Sequence, residues 1–390
     1  MHRNISRREF ILDGMYGAAG SSLLPVLRGF ATPTQVQRTV RAGPDELREL
    51  ERLIPDLMSQ GIVPGVSIAI LKDAKVVWHR GFGVLDALSR HPVDEHTVFE
   101  AASVSKTVFA YAVMQLCDRG TLSLDTPLTR YTPERVLEGD PRLDLITARH
   151  VLSHTSGFQN FRTRAEPLRI HFMPGERFEY SGEGYWYLQS VVTHLLGTVD
   201  PDRCGTYEAG LKVCATDIDP YLTKNVLVPL RMDTSSYVWN DPLERYAARP
   251  HDSAGKPLPL VRPTAIDAAR YAAMGGLRTT AIDYAHFLSE ILAPRAATPV
   301  RLSPAIRQEM LRPQVKVDDS NWWALGWEIH RTPKGNLIQH EGGQTGFLAF
   351  TAASIDRRSG YVILTNSANG WKVFLNERFI SVINRILLGD

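Results

Sequence analysis

The chain has few cysteines, little net charge and no long apolar segment. Its 390 residues include 3 cysteines, and 44 basic against 42 acidic residues leave a formal net charge of +2. A near-neutral chain without a basic block beyond the N-terminus gives no sign of nucleic acid as a partner. No apolar run reaches the roughly 18 residues of a membrane span, and no spacing of Cys and His is typical of zinc. We therefore expect no metal and no cofactor, and a small-molecule or peptide substrate.

The cysteines are compatible with an oxidising compartment without requiring one. Cys204 and Cys214 enclose a polar stretch and could close a short disulfide loop, although the sequence leaves open whether they are bonded. Cys117 follows an apolar run, where a buried free thiol is expected.

The N-terminus differs in composition from the rest of the chain. Ser6 to Ile11 reads SRREFI, which resembles the twin-arginine export motif, and a weakly apolar stretch from Met15 to Leu27 follows it. Gly29-Phe30-Ala31 offers a cleavage site. We predict that residues 1–31 are an export signal that sends the folded protein to the bacterial periplasm or outside the cell, with no stable membrane insertion after cleavage. The alternative is a tail in which the arginine pair has no function.

Apolar periodicity predicts strands near both ends of the chain and helices between them. Asp45 to Gln60 has the spacing of a helix, whereas Val66 to Leu71 and Val76 to Val84 read as a β-hairpin. An amphipathic helix is predicted at the C-terminus. Four more strands are predicted late in the chain, at Leu325 to His330, Leu337 to His340, Phe347 to Ser354 and Tyr361 to Asn366.

These elements predict an α/β fold with one catalytic domain. Its antiparallel sheet is built from N- and C-terminal segments and flanked by helices, and a mostly helical second lobe leaves a cleft between the two. The domain covers residues 45–390, with the α/β lobe at about 45–100 and 275–390 and the helical lobe at about 100–275.

Ser103-Val104-Ser105-Lys106 stands at the beginning of an almost wholly apolar segment that ends at Cys117. Residues i and i+3 of a helix share one face, so Ser103 can act as a nucleophile and Lys106 as its proton acceptor. A segment this apolar is too hydrophobic for an exposed helix, and a partly desolvated lysine loses its charge and becomes a base. The pair predicts the first step of a serine hydrolase.

Such a centre also needs a second proton carrier and an oxyanion site. Tyr180 lies in a loop with Gly and Pro before a predicted helix, from which its ring can project into a cleft. His340-Glu341-Gly342-Gly343 follows a predicted strand, and backbone amides there, with that of Ser103, could bind an oxyanion. The alternatives are a loop-packing aromatic at Tyr180 and, at His340, a hydrogen bond across the strand.

Further segments accompany the SxxK pair in a fixed order: Gly81 to Gly83, Gly120 to Asp125, Leu152 to Gly157, the Tyr180 loop, Gly275 to Leu277, and His340 to Gly342 with Gly346. From about residue 45 to 390 the sequence therefore resembles the serine β-lactamase-related superfamily of penicillin-binding DD-peptidases, class C β-lactamases and β-lactamase-like carboxylesterases. The resemblance implies a β-lactamase/DD-peptidase-like fold.

The resemblance also implies roles for single residues. Ser103 is acylated, Lys106 and Tyr180 transfer its proton, and His340 occupies the position of the lysine in the KTG motif. The amides of Ser103 and Gly343, beside Gly342, bind the oxyanion. His154, in the third of these segments, is expected to be a structural histidine below the cleft.

Two residues depart from the family pattern. The tyrosine motif is usually Tyr-x-Asn, but its third position here is Gly182. The missing carboxamide predicts weak binding of amide-bearing β-lactams and peptides. His340 in place of the KTG lysine removes a permanent cation, which makes recognition of a substrate carboxylate depend on pH. Both departures favour esters.

The function predicted is a serine hydrolase that acts through a covalent acyl-Ser103 intermediate on an ester or amide, with a small-molecule ester, a β-lactam or a peptide as substrate. One alternative is an acyltransferase or D-amino-acid peptidase of the same family. Another is a non-enzymatic binder of acyl ligands or cell-wall fragments. The sequence leaves the natural substrate and the oligomeric state open.

Overall fold

The computed structural model describes residues 44–132, 135–163, 165–199, 215–262, 272–293 and 300–389. Its helices are α1 Pro44–Gly61, α2 Ser105–Asp118, α3 Ala148–Leu152, α4 Gly182–Leu195, α5 Ala215–Leu222, α6 Asp241–Tyr246, α7 Ala281–Leu292, α8 Pro304–Leu311, α9 Trp371–Phe374 and α10 Glu377–Leu388. Its strands are β1 Gly65–Lys72, β2 Lys75–Gly83, β3 Phe99–Glu100, β4 Arg278–Thr279, β5 Val315–Lys316, β6 Asn321–Trp323, β7 Glu328–Thr332, β8 Gly335–Gln344, β9 Phe347–Ser354 and β10 Ser359–Thr365.

Distant parts of the sequence meet in the main sheet. Within the described residues this sheet has eight strands in the order β2-β1-β10-β9-β8-β7-β6-β5, all paired antiparallel. The first strand β1 pairs with the last strand β10, so that Val66 lies opposite Thr365 and Leu71 opposite Gly360. The predicted α/β fold, with an antiparallel sheet built from both ends of the chain, is confirmed.

The β1–β2 hairpin turns where the sequence predicts it. Asp73 and Ala74 have φ angles of +48° and +57°, the left-handed pair that a two-residue turn requires to match the twist of its strands. Every residue of β1 from Gly65 to Leu71 is buried, whereas β2, at the sheet edge, is half-exposed. A mostly apolar run, interrupted at Ser67, therefore marks the inner strand of the pair.

Helices cover both faces of the sheet and give the protein two hydrophobic cores. The first lies between the sheet and α1, α9 and α10, and includes Leu50, Ile54, Ile68, Ile363, Phe379 and Ile386. The second lies on the opposite face against α2, α4 and α7, and includes Val108, Phe109, Tyr185, Leu188, Phe287 and Val362. Because α2 is buried from Ser105 to Leu116, the residues at its beginning are held firmly.

Some predicted boundaries are wrong for local reasons. The strand predicted from Leu325 begins at Glu328, because a turn precedes it in which the Ala324 N–H donates to the Trp327 carbonyl over 2.7 Å. Helix α3 ends at Leu152, and His154, two residues further on, has a left-handed φ of +55°. Strands β5 and β6 were not predicted, since two or three residues are too few to show alternation.

Several predictions fall outside the described residues. These are the export signal at residues 1–31 and the possible disulfide between Cys204 and Cys214, which stay predictions. The division into an α/β lobe and a helical lobe also stays a prediction. Among the helices that the structure describes, none combines the length and apolar character needed to cross a membrane.

Candidate active site

Ser103 lies in a 3-10 turn, Ala102–Val104, that runs directly into α2. Ala102 has a φ of +46°, a left-handed conformation that is costly for a residue with a Cβ. Two hydrogen bonds hold the turn: the Ala101 N–H donates to the Leu277 carbonyl over 2.9 Å, and the Ser105 hydroxyl donates to the Ala102 carbonyl over 2.5 Å. The result is a half-buried serine presented at the N-terminus of a buried helix.

Lys106 lies one turn further along, with only 1% of its surface exposed. Its Nζ is 3.1 Å from Ser103 Oγ and 2.5 Å from the carbonyl oxygen of Met274. Burial lowers the pKa of Lys106 from 10.5 to about 7. Desolvation alone causes this shift, with no carboxylate among its causes. Near pH 7 a large fraction of Lys106 is therefore neutral and able to accept a proton from Ser103.

Tyr180 lies beside this pair, and Lys106 Nζ is 5.1 Å from the centroid of its ring. Both neighbours of Tyr180 are anchored on one residue, His154. The Glu179 N–H donates to the His154 carbonyl over 2.8 Å, and the Ser181 N–H donates to His154 Nδ1 over 3.0 Å. The His154 ring also lies against the Tyr180 ring, with centroids 4.1 Å apart. His154 therefore holds Tyr180 in place through two hydrogen bonds to its neighbours in the chain and one contact with its ring.

His154 is fully buried and is a structural residue in the described geometry, in agreement with its expected role. Its Nδ1 accepts a hydrogen bond from a backbone N–H, so the ring proton must lie on Nε2. The indole of Trp323 lies below, with its centroid 4.8 Å from that of His154 and 5.7 Å from that of Tyr180. Trp323 is fully buried and packs against the rings of His154 and Tyr180.

Strand β8 lies next to the Ser103 turn. A Cβ added to Gly342 would lie 2.4 Å from the Ala101 carbonyl oxygen and 3.0 Å from the Ser103 nitrogen, so only glycine fits there. The next residue, Gly343, is exposed and pairs with Leu348 of β9. The backbone of β8 and the amide of Ser103 are thus in contact, which is the geometry that an oxyanion site shared between them needs.

His340 lies two residues before Gly342, and residues two apart in a strand face the same side. The ring is 1% exposed, and its centroid lies 5.5 Å from that of Trp323 and 6.4 Å from that of Tyr180. Its Nδ1 donates to the carbonyl of Glu341 over 2.7 Å. The structure therefore brings His340 to the Tyr180 side of the site, where contact with a substrate stays a prediction.

Gly182, the departure from the tyrosine motif, lies against Asn160. The Gly182 N–H donates to Asn160 Oδ1 over 2.9 Å and to the Asn160 carbonyl over 3.1 Å. A Cβ at Gly182 would lie 3.2 Å from Asn160 Oδ1 and 3.1 Å from Met274 Sδ. The nearest atom to such a Cβ would be the Asn160 carbonyl oxygen, at 2.9 Å, so the backbone and the carboxamide of Asn160 together occupy the space beside Gly182.

The structure brings together all six residues predicted for the site: Ser103, Lys106, Tyr180, His340, Gly342 and Gly343. Sequence reasoning missed the Met274 carbonyl, the Asn160 carboxamide and the three-way support of Tyr180 by His154. A backbone carbonyl and a loop asparagine leave no pattern in a sequence. Among the described residues, no group of His, Cys, Asp or Glu is arranged to hold a metal ion.

Comparison with known proteins identifies the class. The sequence matches the family model described as Beta-lactamase over residues 50–384, and the chain belongs to that family.

Individual relatives are distant. Protein flp of Staphylococcus aureus strain MRSA252 is 23% identical over 341 residues, covering 83% of this chain and 63% of that protein. Esterase EstB of Burkholderia gladioli is 29% identical over 232 residues, covering 52% of this chain and 54% of EstB. The matches thus span less than two thirds of the length of these relatives.

A similar solved structure is that of the octameric penicillin-binding protein homologue from Pyrococcus abyssi. It superposes with a TM-score of 0.70 at 22% identity, covering 86% of this chain and 77% of that one. At this identity the likeness establishes the fold.

Proposed function

We propose that this protein hydrolyses an ester or amide through a covalent acyl-Ser103 intermediate. The observation that carries the proposal is the buried Lys106, whose Nζ is 3.1 Å from Ser103 Oγ and whose pKa is lowered to about 7. A lysine in this state is a base of the strength that general base catalysis requires at neutral pH. Within the part of the chain that the structure describes, Lys106 Nζ forms hydrogen bonds with the Ser103 hydroxyl and the Met274 carbonyl, and a carbonyl cannot give it a proton.

In the acylation step, Ser103 Oγ forms a bond to the acyl carbon of the substrate while its proton passes to neutral Lys106. The carbonyl oxygen takes up the electron pair, and the N–H groups of Ser103 and Gly343 stabilise the resulting negative charge. The bond to the leaving group then breaks. The leaving alcohol or amine takes a proton from Tyr180 or Lys106, and Ser103 is left as an acyl ester.

In the deacylation step, water attacks the same acyl carbon. A proton passes from the water to Tyr180 or Lys106, and the bond between the acyl carbon and Ser103 Oγ breaks. The proton returns to Ser103 Oγ, and the carboxylic acid is released. Tyr180 is suited to this exchange because His154 and Trp323 hold its ring beside Lys106.

The test offers the purified protein a p-nitrophenyl ester, a chromogenic cephalosporin and a D-Ala-D-Ala peptide, followed by mass spectrometry. An ester belongs in the panel because a relative is an esterase, and the cephalosporin because of the family. We expect turnover of at least one substrate and an acyl adduct on Ser103. Product analysis with and without an added alcohol or amine separates hydrolysis from acyl transfer.

The decisive variant is Ser103→Ala, for which we expect loss of turnover and of the adduct. Ser89→Ala, at an exposed serine outside the site, is the matched control and keeps both. Turnover retained by Ser103→Ala would contradict the proposal, as would the absence of any Ser103 adduct across the panel.

A further inference from the structure

The carboxylate of Glu100 joins three segments that surround the nucleophile. Glu100 is the last residue of β3, three positions before Ser103, and Arg278 of β4 lies directly opposite it in the two-stranded sheet. Arg278 Nη2 donates to Glu100 Oε1 over 3.3 Å, and Nε2 of Gln344, the last residue of β8, donates to Glu100 Oε2. One carboxylate therefore connects the strand that leads to Ser103 with the strand that carries Gly343.

The ion pair between Glu100 and Arg278 is shielded from solvent. The two side chains are 13% and 7% exposed. The backbone of Arg278 is also fixed, because its N–H donates to the Ser236 carbonyl over 2.9 Å and its carbonyl accepts the Ser236 N–H over 3.0 Å. Arg278 neutralises a negative charge that would otherwise oppose the formation of an oxyanion nearby. The Glu100 carboxylate can thus serve as a fixed acceptor close to the site.

Gln344 faces the 3-10 turn that carries the nucleophile. Residues two apart in a strand face the same side, so Gln344 lies on the side of β8 on which Gly342 contacts that turn. Because a carboxylate can only accept, the group that meets Glu100 must be Nε2. A Cβ on Gly275 would lie 3.5 Å from Gln344 Oε1 and 3.7 Å from the carbonyl carbon of Ala102. The end of the Gln344 side chain is therefore close to the turn.

The two residues before Gln344 are the glycines of the oxyanion site. Gly342 and Gly343 have no side chains to pack and can adopt more backbone conformations than other residues. Strand β8 belongs to the eight-stranded sheet, whereas β3 belongs to the two-stranded one, so pairing within each sheet leaves the distance between them free. The bond from Gln344 to Glu100 restrains this distance, and with it the Gly343 N–H relative to the Ser103 N–H.

We propose that Glu100 is a positioning residue for the oxyanion site. Its carboxylate holds Gln344 and thereby sets the distance between the Ser103 and Gly343 amides, without contact with the substrate. This inference rests on the proposed acyl-Ser103 chemistry and adds the group that aligns its two donors. Both donors must be in place before charge develops, so a loosened site binds the tetrahedral intermediate less well while substrate binding changes little. The loss should therefore appear in kcat, with KM little changed.

Two substitutions remove the bond from opposite ends. Glu100→Ala removes the acceptor and leaves Arg278 unpaired, whereas Gln344→Ala keeps the ion pair intact. For each variant we expect kcat/KM to fall about tenfold on the panel substrate that the unmodified protein turns over, the effect of losing one hydrogen bond to a charged group. Because both changes remove the same bond, the double variant should lose no more than the larger single loss, whereas independent effects would multiply.

Exchanging the two side chains tests the bond by rescue. Gln344→Glu alone places two carboxylates face to face, and activity should fall at least as far as in Gln344→Ala. Combined with Glu100→Gln, it restores the bond in reverse, because the amide at position 100 donates to the carboxylate at position 344 and its oxygen can accept from Arg278. We expect this double exchange to recover most of the activity that Gln344→Glu loses.

An arylboronic acid reports on the oxyanion site directly. Ser103 Oγ bonds to boron while the serine proton passes to Lys106, and the tetrahedral boronate carries an oxygen where the oxyanion would form. Its inhibition constant should rise by about the factor by which kcat/KM falls in Gln344→Ala and Glu100→Ala, since both measure binding of the tetrahedral state.

The matched control is Gln339→Ala. It removes a bond of the same kind from the same strand, in which Gln339 Nε2 donates to Glu328 Oε2 over 2.8 Å. Strand alternation places this side chain on the opposite face of β8 from Gln344. Neither kcat/KM nor the inhibition constant should change. Melting curves confirm that each variant folds, and if Glu100→Ala does not, Gln344→Ala and the double exchange decide the question.

Three results would overturn the role of Glu100: an unchanged kcat/KM in Gln344→Ala, no recovery in the double exchange, or a loss of kcat/KM at an unchanged inhibition constant. The last would show that the bond acts elsewhere than at the oxyanion site. Failure of the proposed function has a different result, because then the unmodified protein turns over none of the panel or Ser103→Ala retains the turnover.

Discussion

The two sides of the site are held by different kinds of contact. On the Ser103 side, comprising residues 101–106 with Gly342 and Gly343, backbone lies against backbone, and Gly342 leaves no room for a Cβ. On the Tyr180 side, comprising His154, Asn160, Tyr180 and Gly182, single side-chain atoms hold the backbone, namely His154 Nδ1 and Asn160 Oδ1. Activity should therefore fall when an atom is added on the Ser103 side. On the Tyr180 side it should fall when a particular hydrogen-bond acceptor is removed.

The largest effect is expected from the base. Lys106→Met keeps a long apolar stem in the buried position and removes the amine, so kcat/KM should fall by about 10² to 10⁴, the usual contribution of a general base. In the unmodified protein only the neutral amine accepts a proton, so activity should rise as the pH increases through about 7 and then level off. Ester hydrolysis measured against pH for both proteins gives the loss in Lys106→Met and the rise in the unmodified protein. A profile without a rise near neutral pH would contradict Lys106 as the base.

The same lysine should make stability depend on pH. Its pKa is about 7 in the folded state and 10.5 in its ordinary, solvated state. Between these values the unfolded chain binds a proton that the folded protein does not, so the free energy of unfolding rises with pH across this window. Chemical denaturation at pH 6.5 and 9.5 should show this rise, and Lys106→Met should lack it. An equal rise in both proteins would assign it to other groups.

Gly342→Ala tests whether the Ser103 side tolerates an added methyl group. The new Cβ would meet the Ala101 carbonyl oxygen at 2.4 Å, and neither backbone can move without shifting Ser103. A displacement of about 1 Å at a reacting group can lower the rate about 100-fold, and we expect a loss of that order in kcat/KM.

Gly343→Ala is the matched comparison, because its Cβ would meet only the end of the Leu348 side chain, at 3.1 Å. This variant should lose far less activity, with melting curves to confirm that both proteins fold. Similar losses in the two variants would show that the close approach at Gly342 is not what matters.

The Ser103 side was also the more predictable one. Ser103 and Lys106 are three residues apart on one turn, so their contact is visible in the sequence. Strand β8 was predicted to end at His340 but continues to Gln344. The reason is that two consecutive glycines have low strand propensity, and here backbone pairing with β9 supplies what their side chains cannot.

The Tyr180 side was only partly predictable, because its contacts join segments that are far apart in sequence. Tyr180 could be recognised from its loop, but Asn160 is 22 residues from the Gly182 that it contacts. The sequence shows which residue occupies position 182 and not which neighbour fills the space beside it. The sheet was easier to predict, because buried strands such as β1 and β10 are rich in apolar residues.

The smallest effect is expected at His154, where two substitutions separate the acceptor from the ring. His154→Leu removes the acceptor for the Ser181 N–H and places a branched residue at a φ of +55°. His154→Asn offers an amide oxygen near the position of Nδ1, and Asn tolerates this left-handed conformation. An unpaired buried N–H costs about 1–3 kcal/mol, so the Leu variant should lose about tenfold or more in kcat with KM little changed, and the Asn variant should recover most of it. If both variants lose activity equally at matched melting temperatures, Tyr180 depends on stacking with the ring and not on the Nδ1 acceptor.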